Sequence, residues 1–261
     1  MPLLTASRVV SGDGLLEPGW VQIEGQRIVA VGAGAPPVEY GPARDLGQLT
    51  LVPGFVDMHC HGGGGFWMTT GDPAAVAGAA AFHLRHGTTS LLAGMITAPT
   101  GELARNVAAA TELAQDPSSS VEGILLEGPW ISTVRCGAHD PSLIRPPDLD
   151  EWTRVRTGAV RLVTVASELP GADRLAAAIR NEGAVVALGH SNATYAQGVE
   201  ALEAGAQVAT HVFNAMPPLH HREPGLVAAC LEGAIRSRHR LAFPITSSAS
   251  AGVRLGPLRG A

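Results

Sequence analysis

Five residues carry donor atoms that suit a divalent cation: His59 and His61 in PGFVDMHCHGGGG, Glu127 in LLEGPW, His190 in ALGHSNATY and His211 in THVFNAMPPLHHREPG. Each ends or closely follows an apolar run. Taken singly they carry little. A lone histidine at a strand end is more often a hydrogen-bonded structural residue than a ligand, and a lone glutamate can cap a turn. Together, four imidazoles and one carboxylate at the same end of four separate strands suit zinc, iron or a similar ion. In the His-x-His pair, alternation along an extended strand sends both side chains to one face, so both rings can reach one ion. The same parity places Asp57 on their face, in a supporting position. The run Gly62 to Gly65 then lets the backbone approach a ligand without a Cβ clash, which clears room for a substrate.

Other reactive side chains receive plainer assignments. His83 and His86 lie on a predicted helix as packing or capping residues, and Glu168 ends a strand. Cys60 points away from the histidine pair. Cys136 lacks the partner motif of a nucleophile, and Trp67 and Trp130 wall the cleft or fill the core.

The elements that must position these groups follow a clear rhythm. Residues 1–50 read as short alternating strands with turns, a small β-sheet unit. From residue 51 the pattern becomes strand, loop, helix, repeated: LTLVPGFVDMH, TTSLLAGMI, VEGILLEG, VRLVTVASE, AVVALGH and AQVATHVF are strands, separated by helices such as DPAAVAGAAAFHLRHG and GELARNVAAATELAQ. Six strands with helical crossovers predict an α/β fold with a parallel sheet. All five candidate ligands fall at C-terminal strand ends, the shared rim of a (β/α)8 barrel. Such a barrel takes roughly 250 residues. The segment 51–232 supplies about six βα units of it, so the barrel is expected to be incomplete.

Composition narrows the class. The chain has 261 residues, 46% hydrophobic and 16% charged, with a formal charge of -5. No basic stripe suggests nucleic acid, so a small-molecule substrate is expected. The three widely spaced cysteines form neither a disulfide framework nor a C-x-x-C pair, which fits a reducing cytoplasm. Neither a signal peptide nor a run of 18 apolar residues is present, so no membrane role is expected.

The four blocks PGFVDMHCHGGGG, LLEGPWISTVRCGAHDP, ALGHSNATY and THVFNAMPPLHHREPG resemble the signatures of the N-acetylglucosamine-6-phosphate deacetylases, within the amidohydrolase superfamily. The likeness runs from residue 1 to about Glu232. It implies metal-dependent release of acetate from N-acetylglucosamine 6-phosphate in a cytoplasmic homodimer. It also implies one or two divalent ions per subunit, zinc or iron. Glu127, His190 and His211 would bind the principal ion, and His59 and His61 a second one bridged by Glu127. Asn214 and Ala215 would offer backbone N–H groups to the substrate, and Arg222 would clamp its phosphate. Ala138 and His139 match a loop that contacts the sugar, and a neighbouring subunit can supply such contacts.

After Glu232 the resemblance stops. Residues 233–261 hold five arginines, no acid and no strand–helix rhythm, and read as a non-homologous tail from truncation or a frameshift. The last aspartate is Asp173. The aspartate that the resemblance makes general base and acid therefore has no counterpart, and no catalytic residue is assigned. Weak activity and poor solubility are expected, since an open barrel leaves unpaired strand edges. Two other readings stand beside the deacetylase. One is an inactive chain that binds metal or sugar phosphate. The other is an amidohydrolase acting on a cyclic amide, many of which place a bridging lysine where this lysine-free chain has Glu127.

Overall fold

The structure, a computed structural model, describes residues 2–237, with side chains through residue 233. Two compact units divide the chain, Met1–Gly54 and Phe55–Ala261.

The first unit contains only strands and one short 3-10 turn. β1 (Leu3–Ala6), β2 (Arg8–Ser11), β3 (Gly14–Leu16), β4 (Gly19–Glu24), β5 (Arg27–Ala33), β6 (Ala43–Asp45) and β7 (Thr50–Leu51) form two sheets, ordered β5-β4-β1-β6 and β3-β2-β7. Ala6, Val9 and Val21 fill its small core, joined by Leu16, Ile23, Leu46 and Leu51.

The second unit is built on β8 (Phe55–Cys60), β11 (Thr88–Ile96), β12 (Val121–Glu127), β13 (Val160–Val165), β14 (Val185–Leu188) and β15 (Val208–Ala209). These pair in parallel, each with its neighbour in sequence, as a six-stranded curled sheet. A hairpin, β9 (Gly62–Gly63) and β10 (Phe66–Trp67), follows the first strand. The helices are α1 (Pro73–Arg85), α2 (Thr100–Gln115), α3 (Leu149–Val155), α4 (Ala172–Asn181), α5 (Tyr195–Glu203) and α6 (Gly225–Ser237). The local signals are ordinary ones. Asp72 caps α1 by accepting the Ala74 N–H at 2.9 Å, with Pro73 in the first turn, and Thr194 with Gln197 forms a capping box on α5.

Two apolar layers follow from strand alternation. Met58, Leu125, Leu162, Ala187 and Val208 pack together inside the curl. Ile124, Leu126, Val163, Val165, Val186 and Leu188 point the other way, into the larger core beneath the helices. This is an incomplete β/α barrel of six strands, as the element rhythm predicts. Among the described residues, no helix is long and apolar enough to cross a membrane.

Two elements differ from the sequence reading. LTLVPGFVDMH is not one strand: β7 pairs with β2, β8 pairs with β11, and Pro53, which lacks an N–H to give to a ladder, lies between them. Helix α6 runs to Ser237, past the point where no further rhythm is expected. The rest of the predicted tail lies outside the described residues.

Candidate metal centre

Alternation along β12 places Leu125 inside the curl and Glu127, its last residue, on the same face. His59 stands near the end of β8 and His61 just beyond it. His190 and His211 lie two residues past Leu188 and Ala209, where β14 and β15 stop. The parallel sheet thus brings all five expected ligands to one rim.

They converge on a single carboxylate. Glu127 Oε1 lies 3.3 Å from His59 Nε2, 3.1 Å from His190 Nε2 and 3.0 Å from His211 Nε2. Its Oε2 lies 2.9 Å from His61 Nε2. The rings also approach each other in pairs, with Nε2 to Nε2 distances of 3.0 Å for His59 with His61 and for His190 with His211. Two ligand groups result, His59–His61–Glu127 and Glu127–His190–His211, sharing the glutamate.

Hydrogen bonding on the far side of each ring fixes what faces the centre. His61, His190 and His211 set Nδ1 against the carbonyls of Gly94 (3.2 Å), Arg135 (2.8 Å) and Asn214 (3.1 Å). A carbonyl only accepts, so each Nδ1 carries the proton and each neutral ring turns a bare Nε2 lone pair inward. Three lone pairs then face an acceptor-only carboxylate at contact distance. Protons or cations must lie between them, and a donor set of imidazoles with a bridging carboxylate fits divalent ions. Without ions, burial pushes the Glu127 carboxyl up, but the imidazoles of His139, His190, His211 and His59 outweigh it and hold it well below the usual range. His61 is lowered by burial, yet Glu127 beside it brings the net shift upward.

The loops carrying these ligands are held under constraint. His190 and His211 have φ of 46° and 31°, and Phe213 and Ala215 also occupy the left-handed region. Non-glycine residues take such angles at a cost of about 1–3 kcal/mol each, and they cluster at sites that need a particular geometry. Ser191 N–H donates to the Ala215 carbonyl at 3.1 Å, joining the two loops. Glu168, which the sequence reading leaves without a role, accepts from Ser191 Oγ and the Asn192 N–H, both at 2.6 Å. It anchors the turn after His190.

His139 has the opposite arrangement. The Thr97 N–H donates to its Nδ1 at 3.4 Å, and Thr97 Oγ1 is 2.8 Å away. Its proton is therefore on Nε2, which points at Glu127 Oε2 from 3.6 Å. His139, expected on a sugar-contacting loop, is buried beside the centre as a donor. Ala138 beside it is exposed.

Several further expectations need correction. Asp57 does not share the face of the histidines. Between its pairing with Leu91 and that of Cys60 with Ala93, β8 advances three residues while β11 advances two. This bulge reverses the parity: Met58 packs inside, whereas Asp57 and Cys60 approach His83 on the opposite side. The glycine run serves packing more than substrate. A Cβ on Gly63 would lie 2.6 Å from His83 Nε2, one on Gly64 2.7 Å from the Phe82 ring, and one on Gly62 2.3 Å from the Phe66 carbonyl; only Gly65 faces open space. His83 bonds Gly62 through Nε2 at 3.0 Å, and His86 caps α1. Trp130 is fully buried, but Trp67 is 64% exposed and belongs to no core. Asn214 gives its N–H to the His211 carbonyl at 2.9 Å, leaving Ala215 as the available donor of that expected pair. Arg222 is exposed.

The amidohydrolase family profile matches residues 50–234. The chain is 32% identical over 232 residues to an N-acetylglucosamine-6-phosphate deacetylase of Bacillus subtilis, and 35% identical over 226 residues to an N-acetylgalactosamine-6-phosphate deacetylase of Escherichia coli O157:H7. These alignments cover 85% and 83% of the chain but 59% of each relative. The crystal structure of N-acetyl-D-glucosamine-6-phosphate deacetylase from Mycobacterium smegmatis superposes with a TM-score of 0.84 at 48% identity, covering 89% of this chain and 61% of that one. An aspartate-to-alanine mutant of that enzyme, in complex with N-acetyl-D-glucosamine-6-phosphate, gives 0.83 at 47% identity. The chain belongs to the amidohydrolase family.

Proposed function

We propose that this amidohydrolase cleaves the acetamide of N-acetylglucosamine 6-phosphate, releasing acetate and glucosamine 6-phosphate. One observation carries the reading: a single buried carboxylate, Glu127, is met on both oxygens by four inward-facing imidazoles from three other strand ends. His59, His61 and Glu127 would hold one ion, and Glu127, His190 and His211 the other. Cations bound there would polarise the amide carbonyl and lower the pKa of water toward ~7.

The chain's own groups supply the rest. His139 carries an Nε2–H beside the carboxylate, placed to donate to a carbonyl oxygen entering that space. The Ala215 N–H would orient the sugar, and the exposed Arg222 guanidinium would grip the phosphate through paired hydrogen bonds. No described residue is assigned the proton shuttle. The aspartate that the resemblance implies for it would follow Glu232, and residues 233–261 hold no acid.

Likeness to the galactosamine enzyme makes the 4-epimer the competing substrate. The test measures acetate release by the zinc- or iron-loaded chain from both 6-phosphates and from unphosphorylated N-acetylglucosamine. Chelator-sensitive release, fastest with the glucosamine ester, supports the proposal. Arg222→Ala should then raise KM for the phosphorylated sugar with little change for the unphosphorylated one. Faster release from the galactosamine ester would reassign the substrate, and binding of the 6-phosphates without acetate release would favour a non-catalytic binding role.

A further inference from the structure

We propose that Asp57, Cys60 and His83 form a separate site for a zinc-class ion, on the opposite side of β8 from the histidine pair. Their ligand atoms all lie within 4.8 Å of one another. Cys60 Sγ is 3.2 Å from His83 Nε2, and the Gly62 carbonyl lies 3.0 Å from that nitrogen and 3.6 Å from the sulfur.

With its hydrogen on Nε2, His83 donates to the Gly62 carbonyl, and the Cys60 thiol donates to the same oxygen, which has two lone pairs. Asp57 adds an acceptor-only carboxylate, one of whose oxygens takes the His59 N–H at 3.0 Å. A cation would displace the thiol proton and draw the ring to its Nδ1–H form. It would take Nε2, the Asp57 carboxylate and a Cys60 thiolate whose proton leaves to solvent, and water or the Gly62 carbonyl can complete a fourth position. Thiolate, imidazole and carboxylate together select zinc over magnesium or calcium.

The backbone shows how the site is assembled. In a regular strand, residues three apart face opposite sides. The β8 bulge brings Asp57 and Cys60 to one side, and α1 presents His83 to them. Cys60 is buried, but Asp57 and His83 are only partly so, which leaves an approach for the ion. A filled site would tie α1 to β8 directly behind His59 and His61.

Cobalt distinguishes this site from the Glu127 centre, which contains no sulfur. The full chain is stripped of metal, loaded with Co(II), and its near-ultraviolet thiolate-to-cobalt charge-transfer absorption recorded alongside its metal content. The band should appear in the parent protein, persist in Cys136→Ala and Cys230→Ala, and vanish in Cys60→Ala and His83→Gln, with one fewer ion bound per chain. A parent protein without the band overturns the proposal, and needs no variant to fold. So does a band that survives in folded Cys60→Ala.

Discussion

At the scale of single residues, the centre is governed by where protons sit on imidazoles. His61, His190 and His211 are each held through Nδ1 by a backbone carbonyl, so their inward nitrogens can bind an ion only while unprotonated. Protons therefore compete with metal. Ordinary imidazoles titrate near 6.5, and Glu127 raises His61 above its usual value, so competition at His61 begins at a higher pH. Ion retention should be complete above about pH 7.5 and fall steeply below about 6.5. Equilibrium dialysis against a pH series measures this, and retention unchanged at pH 5 would contradict imidazole ligation. The five donors were legible in sequence because residue type and strand-end position declare them. His139 as a buried donor was not, because its tautomer is set by Thr97, a residue 42 positions away.

At the scale of elements, close approaches decide more than conformational propensity does. Gly64 has φ of 62°, and a Cβ there would sit 2.7 Å from Phe82 of α1. Gly64→Ala should destabilise the fold by about 1–3 kcal/mol through overpacking, read by chemical denaturation. A change below about 0.5 kcal/mol, ordinary for a surface substitution, would show that the hairpin is not packed in this way. A second junction joins α3 to the loop that carries His139. Arg145 Nε donates to Glu151 Oε2 at 2.9 Å and its N–H to the Pro129 carbonyl at 3.2 Å, while Thr100 and Trp130 also donate to Glu151. Burial raises the Glu151 carboxyl, but Arg145 and Thr100 outweigh it and the net shift is downward. A lowered folded-state value means stability that is present above the ordinary carboxylate value near 4.3 and lost as pH falls below it. Glu151→Gln should be less stable at pH 7, and its stability should fall less between pH 4.5 and 3 than the parent's; parallel pH profiles would remove Glu151 from the account. The long strands and helices were readable from periodicity. The seven-residue α3, placed after a pair of prolines, and the β8 bulge were not, since pairing with β11 creates the bulge and no spacing announces it.

At the scale of the molecule, six parallel strands deliver donors from segments as far apart as His59 and His211 to one rim. The chain spans about three fifths of the relatives it matches. The part present carries every expected ligand of the centre, and the fold class was readable from the alternation of strands and helices. Because the ligands come from four strand ends, ions should stabilise the second unit as a whole. At 100 times Kd, binding adds about 2.7 kcal/mol, and at about 2–4 °C per kcal/mol for a unit of this size Tm should rise by roughly 5–10 °C. Calorimetry with zinc and with chelator checks this, and coincident melting curves would argue against it. The most direct test of the central claim is anomalous scattering from zinc-loaded crystals. The account predicts two peaks flanking the Glu127 carboxylate, one beside His59 and His61 and one beside His190 and His211. The absence of any peak within coordination distance of Glu127 would contradict it.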